Sequence, residues 1–178
     1  EDPANRVLLL EAGGRDSHPV IHMPLGFAFL MQHRTLNWCY RTEPEPQLNL
    51  RQLSWPRGKV LGGSSSINGM VYIRGQREDR PNLVLATQAL CQRVLLQDGR
   101  ASGIEYRRGN STATALARGE VILCGGVINS AQLLELSGIG DRDRLVAAGV
   151  QPQVHLPGVG ENLQDHLTIN IQQGLHDV

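Results

Sequence analysis

The chain has 178 residues, 40% of them hydrophobic, which is long enough to bury a core and too apolar for a disordered tail. Its 17 basic and 17 acidic side chains cancel, so it lacks the positive field that nucleic acid or an anionic membrane surface calls for. The longest apolar run, Leu25 to Met31, falls far short of the ~20 residues that span a bilayer, and no signal peptide is in view.

The chain opens on Glu-Asp-Pro-Ala-Asn-Arg with no initiator Met and passes directly into Val7-Leu8-Leu9-Leu10, so it reads as the middle of a longer protein. That run closes on Glu11-Ala12-Gly13-Gly14 and predicts a central parallel strand ending in an acid and a glycine turn. From Arg15 to Leu53, Pro19, Pro24, Pro44 and Pro46 break any long helix, which predicts extended loop with short helical pieces. Gly62-Gly63 followed by Ser64, Ser65 and Ser66 predicts a turn into a helix start. After Arg80-Pro81-Asn82 the character becomes β. Leu83 to Thr87, Cys91 to Leu96 and Ser102 to Tyr106 predict a small meander with its hairpin turn at Asp98-Gly99. Glu120 to Cys124 reads as a buried strand, followed by a Gly125-Gly126 turn and a helix with Ile128, Leu133, Leu134 and Leu136 on its apolar face, ending at Gly138. A short helix near Arg142 to Ala148, a turn at Pro157-Gly158 and the polar cluster Glu161 to His166 complete the chain, with no internal repeat.

Two stretches carry chemistry. A carboxylate at a strand end, as at Glu11, accepts hydrogen bonds from a cofactor ribose in dinucleotide-binding folds, but it is equally an ordinary strand-end acid. The phosphate loop expected about 20 residues upstream would fall before Glu1. In the second stretch, Gly62-Gly63 lets backbone approach a ligand closely, and Ser64 to Ser66 offers amides and hydroxyls at a helix start, where phosphate is attracted. Cys39, Cys91 and Cys124 are far apart and odd in number, which predicts buried free thiols rather than a zinc site. His18, His22, His33, His155 and His176 have no spacing for a metal or a triad.

The run from Arg57 through Gly58, Lys59, Gly62, Gly63, Ser64, Ser65, Ser66, Ile67, Asn68 and Gly69 to Gly75 resembles the first signature of the glucose-methanol-choline (GMC) oxidoreductases. Gly126 to Gly140 resembles the second signature, and Gly158 to His166 a third stretch common in these proteins. The resemblance implies an α/β, glutathione-reductase-like FAD-binding domain of Rossmann type, here incomplete and carrying a small β meander. Residues 1–79 form its first part and 80–178 its second. It implies FAD as cofactor, with Glu11 toward the adenosine ribose, Gly62 to Ser65 along the pyrophosphate, and Asn68-Gly69 close to the flavin. Gly58, Val94 and Gly126 are further cofactor contacts, and Asn162, Asp165 and His166 sit near the nucleotide. Some relatives attach flavin covalently through a histidine where this chain has Ile67, so FAD is expected to be held non-covalently.

His22 to Gly26, Leu36 to Trp38 and Trp55 to Lys59 are most similar to bacterial aliphatic alcohol dehydrogenases and choline dehydrogenases. That likeness implies oxidation of a primary alcohol to the aldehyde and a quinone or other non-oxygen electron acceptor; the expected location is cytoplasmic, with a peripheral place at the inner membrane as the alternative. Val127 and Ala131 depart tolerably from the second signature. Pro81 closes the first signature where a polar residue is usual, as if a substrate-domain segment between Asp79 and Arg80 were missing. The family's histidine pair beside the flavin maps to no residue here, so the catalytic base is unassigned and His166 is given cofactor contact only. The rival expectations are a truncated, catalytically inactive remnant and a nicotinamide-dependent Rossmann dehydrogenase, the latter leaving the Gly58 to Gly75 match unexplained.

Overall fold

The computed structural model describes residues 4–68 and 82–165. Strand β1 (Val7–Leu10) lies parallel to β4 (Leu83–Ala86), with Val7 opposite Leu83 and Leu10 opposite Ala86. The Val7 amide extends the ladder by donating to the Asn82 carbonyl at 2.8 Å. Among the described residues this sheet has two strands, so β1 is parallel as expected but borders a single neighbour and leaves Val7, Leu8 and Leu9 exposed. Its place at the centre of a sheet is therefore not realised within the described chain.

Between them the chain turns through short pieces, as the prolines require. These are 3₁₀ turns at Pro19–His22 and Pro24–Gly26, helix α1 (Phe27–Leu30), and a two-residue antiparallel ladder of β2 (Tyr40–Arg41) with β3 (Ser54–Trp55). Leu30, Leu36, Val60 and Ile67 form a core with Val20 and Ile21 against it. Asn37 sits beside them at 2% exposure. Its amide group donates to the Leu30 and Met31 carbonyls at 3.2 and 2.8 Å, and its oxygen accepts from the Cys39 and Arg57 amides at 2.9 and 3.0 Å. A buried polar side chain is tolerable only when satisfied in this way. Asn37 thereby fixes the end of α1, the lead into β2 and the start of the Arg57 segment to one another.

The meander consists of β5 (Ala89–Gln97), β6 (Arg100–Arg108) and β7 (Ser111–Leu116). Asp98 and Gly99 both have positive φ, 51° and 76°, in the two-residue loop between Gln97 and Arg100, the backbone a primed hairpin turn needs. The membership of the meander differs from the expected one. Leu83–Ala86 pairs with β1 instead, and the third meander strand is Ser111–Leu116, whose Ser-Thr-Ala-Thr-Ala alternation carries no apolar signal.

Glu120 to Cys124 forms no ladder, and Ile122 is 71% exposed. An apolar run becomes a strand only when a partner strand receives its hydrogen bonds, and none is present among the described residues. Helix α2 (Gly126–Leu136) follows as expected and stops at Ser137-Gly138, where Gly138 takes φ +81°. Then come β8 (Ile139–Gly140), α3 (Arg142–Ala147) and β9 (Val154–His155), with β8 parallel to β9. The thiols are free, but Cys39 and Cys124 are exposed and Cys91 is half-buried, against the expectation of burial. Cys39 follows the buried Asn37 on an outward turn at φ 55°, and Cys124 lies in the unpaired segment.

Candidate cofactor site

At the end of β1 the Glu11 backbone continues the sheet, its amide donating to the Ala86 carbonyl and its carbonyl accepting from the Ala89 amide, at 2.9 and 2.8 Å. Its carboxylate accepts from the Gly13 amide at 2.7 Å. Burial raises the Glu11 carboxyl above its ordinary value, opposed by the Gly13 and Ala12 amides. The glycine turn then meets the first motif. A Cβ at Gly13 would lie 2.0 Å from the Lys59 carbonyl oxygen, and one at Gly58 would lie 2.1 Å from that of Gly63. Only bare backbone fits at these crossings.

Gly62 and Gly63 take φ +94° and +57° and lead into a 3₁₀ turn, Gly63–Ser66, in place of the expected start of a longer helix within the described residues. The Ser64 hydroxyl accepts from the Gly58 amide at 3.1 Å, and Ser66 donates to the Leu61 carbonyl at 2.9 Å. The Gly13-Gly14 turn after Glu11 thus crosses the Lys59 to Leu61 backbone, with Gly58 before that crossing and the Gly62 to Ser65 turn after it, and half-buried Asn68 follows the turn. Gly14, Gly63 and Gly126 have open space where a side chain would begin. Gly69 and His166, assigned from the sequence, lie outside the described residues.

Val94 is buried at 7%, and its amide donates to the Ser137 hydroxyl at 2.8 Å, docking the meander on the end of α2. The β5 residue coupled to Glu11 is Cys91, whose thiol is raised by burial first and by the Glu11 charge second. Sequence reasoning placed Cys91 in a strand but not beside Glu11, because that proximity arises where the start of β5 joins the end of β1 through the bond from the Ala89 amide to the Glu11 carbonyl.

A second cluster joins the three motifs. Trp38 and Tyr40 stack with ring centroids 5.9 Å apart and planes 3° from parallel, and Tyr40 faces Trp55 across the β2–β3 ladder. Lys59 of the first motif stands 4.7 Å over the Trp38 ring, and Arg57 stands 5.0 Å over Trp55. The Tyr40 hydroxyl donates to the Asn129 side-chain oxygen of the second motif at 2.5 Å. Burial raises the Tyr40 hydroxyl above its ordinary value. The Trp55 indole donates to Asp165 of the third motif at 3.2 Å, and the Arg57 guanidinium lies 3.8 Å from the same carboxylate oxygen.

Helix α2 has Gly125 at its N-cap and no side-chain cap, so its first amides remain available to a ligand. At its other end Arg144 of α3 pairs with Glu161 and, at 3.7 Å, with Glu135, tying the second motif to the third. Asp141 caps α3 by accepting from the Asp143 and Arg144 amides, the Arg144 bond being the main reason its carboxyl is lowered. Among the described residues no group of His, Cys, Asp and Glu is placed to hold a metal, and no helix is long and apolar enough to cross a membrane.

Comparison with known proteins matches these features. The family model described as GMC oxidoreductase matches residues 7–82 and 78–168, two blocks that meet where the sequence suggested a missing segment. The chain is 32% identical to an alcohol dehydrogenase [acceptor] of Pseudomonas putida, covering 96% of this chain and 50% of that protein. It is 33% identical to the mitochondrial choline dehydrogenase of Homo sapiens, covering 97% and 48% respectively. It therefore spans about half the length of the curated relatives it matches. The alignment to the Pseudomonas protein runs over 277 residues, well beyond the 178 present here, so part of the relative has no counterpart in this chain. The fold is that of the pyridoxine 4-oxidase from Mesorbium loti, with a TM-score of 0.85 at 24% identity over 93% of this chain and 53% of the other. Formate oxidase shares it with a TM-score of 0.76 at 18% identity, over 86% of this chain and 47% of the other. These family members and structural neighbours are FAD-binding flavoproteins. The architecture is accordingly a partial α/β FAD-binding domain, and the chain belongs to the GMC oxidoreductase family.

Proposed function

We propose that this chain supplies the FAD-binding half of an oxidoreductase that converts a primary alcohol, choline or an aliphatic alcohol, to the aldehyde and passes the electrons to a quinone or another non-oxygen acceptor. Residues 1–79 and 80–178 are two parts of one FAD domain in this reading, supported by the β1–β4 ladder that crosses between them. The observation that carries it is the crossing of the Gly13-Gly14 turn after Glu11 with the Gly58 to Ser65 segment, beside bare backbone at Gly14 and Gly63. Gly14 has neither a positive φ nor a close neighbour to require glycine, and the approach of a cofactor supplies a reason.

Glu11 accepts from the ribose hydroxyls, the Gly62 to Ser65 turn and the uncapped amides of α2 face the pyrophosphate, and Asn68 with Gly69 borders the flavin, without covalent attachment. Gly126 leaves backbone bare at the start of α2, and Val94, Asp165 and His166 border the nucleotide. Bound FAD supplies the hydride acceptor for the alcohol carbon. No residue of this chain is assigned the alcohol proton. A lipid-dissolved quinone would bring the protein from the cytoplasm to the inner-membrane surface without a spanning helix.

The same length mismatch with the relatives favours a second reading, a remnant that binds FAD and turns over nothing. Incubation with FAD, removal of free cofactor and an absorbance and fluorescence scan test the first reading, with a retained visible flavin band expected. A colourless protein sinks it. If flavin is retained, bleaching of an artificial dye by choline or butanol, with oxygen present and absent, separates enzyme from remnant and one acceptor class from the other.

A further inference from the structure

We infer that the β2–β3 hairpin is a clasp that holds the second and third motifs in register with the first, with Tyr40 and Trp55 as its positioning residues. The ligand in this inference rests on the FAD reading above, whereas the geometry does not.

Each motif reaches the hairpin through a different group. The first supplies the cations Arg57 and Lys59, which lie over the Trp55 and Trp38 rings. The second supplies Asn129, four positions into α2 and within its first turn, as acceptor for the Tyr40 hydroxyl. The third supplies Asp165, as acceptor for the Trp55 indole and neighbour of Arg57. Because Tyr40 and Trp55 are direct cross-strand partners, the two bonds leave adjacent side chains of one short ladder. The hairpin is in turn fixed to the first motif through its backbone. The Trp38 amide donates to the Arg57 carbonyl and the Lys59 amide to the Leu36 carbonyl, each at 2.8 Å, while Asn37 accepts from the Arg57 amide.

A displacement of the hairpin therefore moves the start of α2 and the 158–165 segment relative to the Gly62 to Ser65 turn. Aromatic packing alone would stabilise the loop without setting that registry. The two hydroxyl and indole donors give the contact its direction, since each pairs with one acceptor in one motif. Neither Tyr40 nor Trp55 is a ligand of the cofactor in this arrangement. Both act through Asn129 and Asp165.

Tyr40→Phe and Trp55→Phe each remove one donor and keep an aromatic ring, and they separate the two arms of the clasp. Hydrogen–deuterium exchange of the full chain without cofactor is expected to quicken in residues 126–133 for Tyr40→Phe and in 158–165 for Trp55→Phe, with the meander unchanged. Affinity for FAD, read by quenching of flavin fluorescence, is expected to weaken roughly 3- to 10-fold in each, as loss of one ordinary hydrogen bond implies. Asn129→Ala is expected to reproduce Tyr40→Phe and to add nothing to it in the double variant. Unchanged exchange in both segments, additive effects of Tyr40→Phe and Asn129→Ala, or unaltered FAD affinity in a chain that does bind FAD would each overturn the clasp. Should the unsubstituted chain bind no FAD, the cofactor reading fails on its own, and the exchange arm still decides the clasp.

Discussion

Burial lifts the Glu11 carboxyl above the ordinary carboxylate range, against the pull of the Gly13 and Ala12 amides. A raised folded-state value means that the fold is favoured while Glu11 is protonated. That contribution is complete below the unfolded value and is lost as pH rises through the folded one. Deprotonating Glu11 to give the charged acceptor of the FAD reading thus costs stability. Glu11→Gln is expected to gain thermal stability relative to the natural chain as pH rises from about 4 to about 8, while FAD affinity falls about tenfold with loss of a charged acceptor. Melting curves across that range check the first part, and parallel curves for the two proteins would contradict it. The same substitution removes the negative charge that helps raise Cys91, so iodoacetamide should label Cys91 faster, as followed by peptide mass spectrometry. Glu11 was legible in the sequence because an apolar run ending in an acid and a glycine pair is a local pattern. Cys91 was not, since its place beside Glu11 depends on β5 joining the distant end of β1, and the Tyr40–Asn129 bond joins residues 89 positions apart.

Ser137 links two elements with one hydroxyl, accepting from the Val94 amide of β5 and donating to the Leu133 carbonyl of α2. Ser137→Ala leaves the buried Val94 amide without this acceptor and is expected to cost about 1–3 kcal/mol. Urea unfolding reads it as a lower midpoint at unchanged slope, and an unmoved midpoint would show that the meander does not depend on this link. At this scale the sequence told most where one element suffices. The Asp98-Gly99 hairpin and α2 were predicted because turn chemistry and helical spacing are local. The errors lie in partnership. Leu83–Ala86 is adjacent to the meander in sequence but hydrogen-bonds to β1, Ser111–Leu116 pairs despite a polar composition, and Glu120 to Cys124 has the composition of a strand without a ladder. Composition measures the capacity for burial, and a ladder requires a second chain segment that composition does not name.

The whole chain presents Val7, Leu8, Leu9, Leu83 and Val84 on the β1–β4 pair to solvent, Val84 at 55% exposure, together with a parallel ladder that the described residues do not extend. Parallel sheets are ordinarily covered on both faces, and an open apolar edge recruits other chains. The isolated 178-residue protein is expected to self-associate with rising concentration, and Val84→Lys to reduce this. Light scattering against concentration checks both, and a monodisperse monomer would refute the expectation. The clasp has a further consequence, for folding order. The β5–β6 hairpin closes over two residues, whereas the Tyr40–Asn129 and Trp55–Asp165 bonds span 89 and 110 positions. Local contacts form early and distant ones wait for the loops between them to be ordered. In the FAD reading the parts of the site held by these two bonds are expected to come together last, so that a flavin colour would report that folding has run to its end.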